Sequence, residues 1–263
     1  MKICIIGQSK RLKILENNLT CSGYIVECIY TQDDLANYID ADLVVLPIPT
    51  LNKDGYINIS GKENISPNEL INKISPSCKI ISCGYNDSNR ISVDLNERDD
   101  FAYLNAVPTA EGAIYYAISS SELALDESEI LITGFGRVAK ILTDRLKGLC
   151  RNITIAARSA RDLSYATALG YNTIRINELY NEANRFNIIF QTVPSPIFDE
   201  RILGTMNDKN TIIELSSKFI GTDIENAKKL GINVIQAPAL PEKILPQTAG
   251  NILTKCILSI IAE

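Results

Sequence analysis

Short apolar runs alternate along the chain with stretches in which apolar residues recur every three or four positions. In the first hundred residues, Lys2–Ile6, Tyr24–Ile29, Leu43–Leu46, Lys79–Ser82 and Phe101–Asn105 predict strands. Between them, Leu12, Ile14, Leu15 and Leu19, and later Leu70, Ile71 and Ile74, have helical spacing. Strands alternating with helices predict a parallel sheet covered on both faces. Residues 51–68 break the rhythm and predict a long loop, with a small hairpin around Asp54-Gly55.

A second series begins after Pro108. Thr109 to Leu123 carries apolar residues at 110, 113, 114, 117 and 118, predicting a helix. Strands follow at Ile130–Thr133, Ile153–Ala157, Thr173–Ile176, Ile188–Gln191, Thr211–Leu215 and Asn233–Gln236. Six strands with intervening helices are the full complement of a dinucleotide-binding domain. Thr222 with Glu225 predicts a capping box. The stretch from Pro246 to Glu263 predicts a terminal helix, apolar at 249, 253, 256, 257, 260 and 261. The expected architecture is α/β, with two doubly wound parallel-sheet domains. Residues 1–108 plus 247–263 would form a flavodoxin-like substrate domain, with the C-terminal helix packed back on it. Residues 109–246 would form a Rossmann domain, leaving a cleft between the two.

Composition narrows the chemistry. The chain has 263 residues, 46% hydrophobic and 22% charged, enough for a normal core. A net charge of −5 argues against nucleic acid and against a polybasic membrane anchor. No stretch approaches the ~18 apolar residues of a spanning helix, and Met1–Gly7 lacks a signal-peptide layout. The seven cysteines never form a CxxC pair, which predicts reduced, mostly buried thiols in a cytosol. There is no histidine. That removes Ser-His-Asp triads, Cys-His dyads and HExxH zinc sites, and no other metal site is indicated. Acid–base work falls to Lys, Asp, Glu, Tyr, Cys or solvent.

The sharpest motif is Ile130-Leu131-Ile132-Thr133-Gly134-Phe135-Gly136-Arg137-Val138-Ala139, a G-x-G-x-x-A directly after a strand and opening a helix. Gly134 permits the tight turn, Gly136 lets main chain approach a pyrophosphate, and Ala139 allows close packing of helix on strand. The helix N-terminus then meets the pyrophosphate. The second strand ends at Ala157, where an NAD site places an acid. Arg158 and Ser159 follow, with Arg161 a turn later, so a ribose 2′-phosphate is accepted and NADP(H) is expected over NAD(H). The loop Gln191-Thr192-Val193-Pro194-Ser195-Pro196 should lie over the nicotinamide half, and Ser216 should reach the same carboxyl edge of the sheet. In the first domain, Gly7-Gln8-Ser9-Lys10 is only a vestige of the motif, so a substrate domain is expected there. Its strand ends offer Pro47-Ile48-Pro49-Thr50, Ser82-Cys83-Gly84-Tyr85-Asn86 and Asn105 through Gly112.

Several of these blocks together resemble a known family. They are Asn96-Glu97-Arg98-Asp99-Asp100, Asn105 through Gly112, the turn at 134–137 and Ala157-Arg158-Ser159. Further ones are Thr192-Val193-Pro194-Ser195, Gly221-Thr222-Asp223, Ala237-Pro238-Ala239-Leu240-Pro241 and Thr248-Ala249-Gly250. In order and spacing they resemble the dipicolinate synthase A subunits of spore-forming Firmicutes, over nearly the whole chain. The chain departs from that pattern at Glu214-Leu215-Ser216-Ser217-Lys218, where the family has Asp-Leu-Ala-Ser-Arg, and at Gln247, where a Lys is expected. Lys for Arg changes the pairing geometry of the cation.

The resemblance implies oxidation of a dihydrodipicolinate-type intermediate of the lysine pathway to pyridine-2,6-dicarboxylate. It also implies NADP as cofactor and, as partner, the smaller, flavoprotein-like B subunit of dipicolinate synthase. The implied setting is the mother-cell cytoplasm during sporulation. The turn Gly134, Phe135, Gly136, Arg137 and Val138, together with Arg158, Ser159, Thr192, Val193, Pro194 and Ser216, would hold the cofactor. Two substrate carboxylates call for cations and N–H or O–H donors. The candidates are Lys218, Thr109, the Gly112 N–H, Thr50, Ser217 and Thr248. Glu111 would take the proton or cap the helix after Pro108. Homo-oligomerisation stays open. The competing readings are another small-molecule NADP dehydrogenase, of shikimate or tetrahydrofolate type, and a catalytically silent NADP-binding protein or redox sensor.

Overall fold

The computed structural model describes all residues except 36–37, 61–63, 88 and 217–219. Met1–Asn105 with Pro241–Glu263 form one compact unit and Ala106–Leu240 another. The first unit holds β1 (Lys2–Ile6), α1 (Lys10–Cys21), β2 (Ile25–Ile29), β3 (Leu43–Val45), β4 (Ile57–Asn58), β5 (Asn64–Ile65), α2 (Pro67–Asn72), β6 (Lys79–Ser82) and β7 (Val93–Asp94). Helix α3 (Asp99–Ser120) follows. The second unit contains β8 (Glu129–Thr133), α4 (Arg137–Leu146), β9 (Asn152–Ala157), α5 (Ala160–Ala168), β10 (Asn172–Arg175), β11 (Ile188–Gln191), α6 (Glu200–Leu203), β12 (Thr211–Glu214), α7 (Ile224–Lys229) and β13 (Asn233–Gln236). Helices α8 (Leu240–Ile244) and α9 (Pro246–Ala262) close the chain.

The first sheet has order β2-β1-β3-β6-β7, all parallel. That is the flavodoxin-like order. The second has order β10-β9-β8-β11-β12-β13, also all parallel, which is the dinucleotide-binding order. Buried Ile3, Ile5, Val45 and Ile81 face α1 and α9, while Cys4, Ile6, Val44 and Ile80 fill the other face. Period-two alternation thus gives β1, β3 and β6 two apolar faces. The expected docking of the terminal helix on the first domain is borne out. Gly250 of α9 lies so close to Ile14 that a Cβ there would fall 2.5 Å from the Ile14 Cβ. Asn18 of α1 donates to Asn251 (3.1 Å) and Thr254 (3.0 Å).

Two local expectations need correction. Residues 101–105 are not a strand but belong to α3, which begins at Asp99 and carries Pro108 inside it. A four-residue apolar run does not by itself separate strand from helix. The buried positions 101, 106, 110, 113, 114 and 117 show the helical repeat running back through the proline. The edge strand is instead β7, pairing Ile81 with Val93 and Ser82 with Asp94. The cap of α7 is Asp223, whose carboxylate accepts from the Asn226 N–H (3.1 Å), and not Thr222. The Thr222 hydroxyl is turned inward to Glu214 (2.9 Å). Around Asp54-Gly55 a small turn does form, with Leu51 bridged to Ile57. Among the described residues, no helix is long and apolar enough to cross a membrane.

Candidate functional site

The turn after β8 assigns separate tasks to its two glycines. Gly134 has φ +79 and donates its N–H to the Ala156 carbonyl (2.7 Å). A Cβ there would stand 2.7 Å from Val193 Cγ2 and 3.1 Å from Thr192 Oγ1. Packing within the chain therefore explains this glycine. It does not explain Gly136, the N-cap of α4, which has an ordinary φ of −79 and is exposed. A Cβ there would meet no atom within 4 Å. Bare main chain at a helix N-terminus facing open space is the arrangement that receives a phosphate group. Ala139 is fully buried beneath the turn. The Phe135 ring is buried against Tyr165, centroids 5.9 Å apart, with the Lys140 ammonium over it at 5.8 Å. Phe135 thus presents main chain, not its ring, to a ligand. Arg137 opens α4, half-buried.

At the end of β9, Ala157 is buried, and Arg158 and Ser159 are exposed. Arg158 stands one residue beyond the strand. The Ser159 hydroxyl accepts from the Asp162 N–H (3.4 Å) as the cap of α5.

Neighbouring β11 and β12 end in two buried polar residues to which the sequence assigned no role of their own, Gln191 and Glu214, which lie opposite each other in register. Gln191 organises the following loop. Its Oε1 accepts from the Thr133 hydroxyl and the Val193 N–H, and its Nε2 donates to the Val193 (3.1 Å) and Ser195 (3.4 Å) carbonyls. Thr192 is tied to Thr133 as well, its hydroxyl donating to the Thr133 carbonyl. The 192–195 segment is thereby held against Gly134. Glu214 accepts hydroxyl hydrogen bonds from Ser216 (2.5 Å) and Thr222 (2.9 Å). Burial pushes its carboxyl above the usual range, and the two hydroxyls oppose that shift. Ser216 is buried, its hydroxyl engaged by Glu214. A polar residue closing an otherwise apolar parallel strand was the available signal for both positions. Ser217 and Lys218 lie outside the described residues.

In the first unit, Thr50 is fully buried, donating to the Pro47 carbonyl (2.9 Å) and accepting from the Cys83 N–H (2.8 Å). Its hydroxyl ties two strand ends together. A cavity of about 190 Å³ opens beside this edge, lined by Gln8, Ser9, Pro47, Ile48, Pro49 and Asn52 among others, and not by Thr50. Thr248 is exposed in the first turn of α9. On α3, Thr109 is half-buried, Glu111 exposed and Gly112 buried. All three lie in mid-helix, so Glu111 is no helix-start cap; Asp99 and Asp100 occupy that first turn. The Gly112 N–H belongs to the hydrogen-bond ladder of α3 and offers no free donor. All seven cysteines are unpaired, and burial pushes the Cys83 thiol up to about 12, so it stays neutral.

No protein-family model matches the chain. It is 30% identical to the dipicolinate synthase A subunit of Bacillus subtilis (strain 168) over 232 residues, 84% of this chain and 78% of that protein. The crystal structure of the dipicolinate synthase A subunit from Bacillus halodurans superposes with a TM-score of 0.85 at 27% identity, covering 100% of this chain and 98% of that one. The fold is shared more widely: D-lactate dehydrogenase from Escherichia coli reaches a TM-score of 0.64 at 13% identity, over 99% and 96% of the two chains. Sequence likeness at this level over most of both chains shows that the protein belongs to the family of dipicolinate synthase A subunits.

Proposed function

We propose that the chain is the NADP-dependent oxidoreductase component of a two-subunit dipicolinate synthase. It would oxidise a dihydrodipicolinate-type intermediate of the lysine pathway to pyridine-2,6-dicarboxylate. Gly136 carries this reading. It is an exposed glycine at a helix start that no contact or backbone strain within the chain requires. The main chain of Gly134, Phe135, Gly136, Arg137 and Val138 would receive the pyrophosphate, and Arg158 a 2′-phosphate. Thr192, Val193 and Pro194, held by Gln191, would border the nicotinamide half.

The bound cofactor supplies a hydride acceptor. The remaining work is modest, because loss of a hydride and a proton makes the substrate ring aromatic. The protein's part is to orient two rings and exclude water, which suits a chain without histidine. Lys218, Ser217, Thr109 and Thr248 are the proposed substrate contacts, with Glu111 as proton acceptor. Thr50 and Gly112 would support the site rather than touch the substrate, and Ser216 would support rather than touch the cofactor, because their polar groups are engaged by the fold or its helix ladder. The flavoprotein-like B subunit would be its partner, and the mother-cell cytoplasm its setting.

The test is purified chain, with and without the B subunit, given the lysine-pathway intermediate and NADP and followed by dipicolinate absorbance. Product formation coupled to NADPH appearance is expected. Cofactor binding without turnover in either mixture would reduce the chain to a silent NADP-binding protein.

A further inference from the structure

Among the described residues, no hydrogen-bond partner meets the buried Arg11 Nε. Arg11 sits in the first turn of α1, directly after the carboxyl end of β1, and is only 4% exposed. Among the described residues, no hydrogen bond or ion pair reaches the rest of its guanidinium. Burial pulls its pKa down, and the groups whose charge it senses are Glu242, which opposes that fall, and the Cys83 thiol. Glu242 accepts from the Lys10 N–H (3.2 Å) and forms no ion pair with Arg11.

The position compounds the cost. A cation in the first turn of a helix meets the positive end of the helix dipole, and α1 has no acidic residue in that turn. A buried charge lacking both a hydrogen bond and a counter-ion is strongly unfavourable in an apo protein. An anion would repair all three defects at once. It would pair with the guanidinium, face the helix N-terminus, and sit where ligands of open parallel sheets bind, outside the carboxyl ends of the strands. Cys83, which follows β6, marks that edge.

We propose that Arg11 is an anion-binding residue that receives one carboxylate of a small dicarboxylate ligand in the first unit. This deepens the function proposed above and rests on it for the identity of the dicarboxylate. The planar guanidinium suits bidentate pairing with a carboxylate.

The experiment is calorimetric titration of the full chain with pyridine-2,6-dicarboxylate, pyridine-2-carboxylate and inorganic phosphate, comparing wild type with Arg11→Gln and Arg11→Lys. The dicarboxylate should bind wild type at least about tenfold more tightly than Arg11→Gln, with Arg11→Lys in between. The monocarboxylate, which keeps one of two equivalent carboxylates, should bind wild type more weakly than the dicarboxylate does, and equal affinity for the two would refute a site that holds a dicarboxylate. Without ligand, Arg11→Gln should melt no lower than wild type, because the substitution removes an unpaired buried charge. Equal dicarboxylate affinity in a folded Arg11→Gln variant would overturn the site. So would a ligand-free melting point several degrees below wild type, which would make Arg11 a structural partner of Glu242. Arg11-dependent phosphate binding without dicarboxylate binding would keep the anion site and refute the substrate reading alone.

Discussion

The two glycines of the β8–α4 turn should respond oppositely to the same added methyl group. In Gly134→Ala, an L side chain is forced to φ +79, at roughly 1 kcal/mol. Its Cβ also lands 2.7 Å from Val193 Cγ2, an overlap that adds roughly 1–3 kcal/mol. At roughly 3 °C per kcal/mol, the second unit should melt about 6–12 °C lower. In Gly136→Ala, the methyl group enters open space at an ordinary φ. Reduced freedom of the unfolded chain stabilises by roughly 0.4–1 kcal/mol. The loss of glycine at an N-cap costs about as much, so the net change stays within about 0.5 kcal/mol. The methyl group would nevertheless occupy the place proposed for a pyrophosphate. NADPH affinity, read by cofactor fluorescence, should fall at least about tenfold with the melting point unchanged. A Gly136→Ala protein that binds NADPH as tightly as wild type would refute the reasoning.

Arg158→Ala should weaken NADPH about tenfold or more and leave NADH unchanged; equal losses for both would show that Arg158 does not read the 2′-phosphate. Glu214 has a raised pKa in the folded protein. Its contribution to stability is therefore fully present below the unfolded value of about 4.3 and lost as pH rises through the folded one. Relative to wild type, Glu214→Gln should gain melting temperature as pH rises above about 4.3, and a difference that stays flat above that pH would contradict this. Arg98 pairs with both Asp100 (2.8 Å) and the C-terminal residue Glu263 (2.7 Å), holding both carboxyls below the usual range. Here the sign is reversed. The stabilisation is present above about pH 4 and lost as pH falls through the folded values, so Arg98→Met should blunt the acid-side drop in melting temperature. Gly250→Ala should destabilise the first unit by roughly 1–2 kcal/mol in denaturant melts, because its overlap with Ile14 outweighs the ~1 kcal/mol helix preference of alanine.

Periodicity and turn chemistry are local properties, and what depends on them was readable in the chain. The parallel strands, the glycine turn with Ala139 beneath it, the cation at 158 and the terminal helix are all of this kind. The absence of histidine narrowed the chemistry before any fold was known. Where competing local signals were nearly balanced, neighbours in space decided. Pro108 reads as a boundary, but burial of Phe101, Ala106 and Ala110 along one face carries α3 through it. Thr222 reads as a cap, but a buried carboxylate needs its hydroxyl more than a helix end that Asp223 can cap. The availability of a polar group is likewise a property of its surroundings. Thr50 and Ser216 looked free to meet a ligand, yet both are engaged inside the fold. Gln191 became important only through four hydrogen bonds to three residues in two segments, and Arg11 only because no hydrogen-bond partner among the described residues meets its Nε. Burial and hydrogen-bond satisfaction sum over residues distant in sequence, so packing alone shows which polar groups the fold consumes and which it leaves for a ligand.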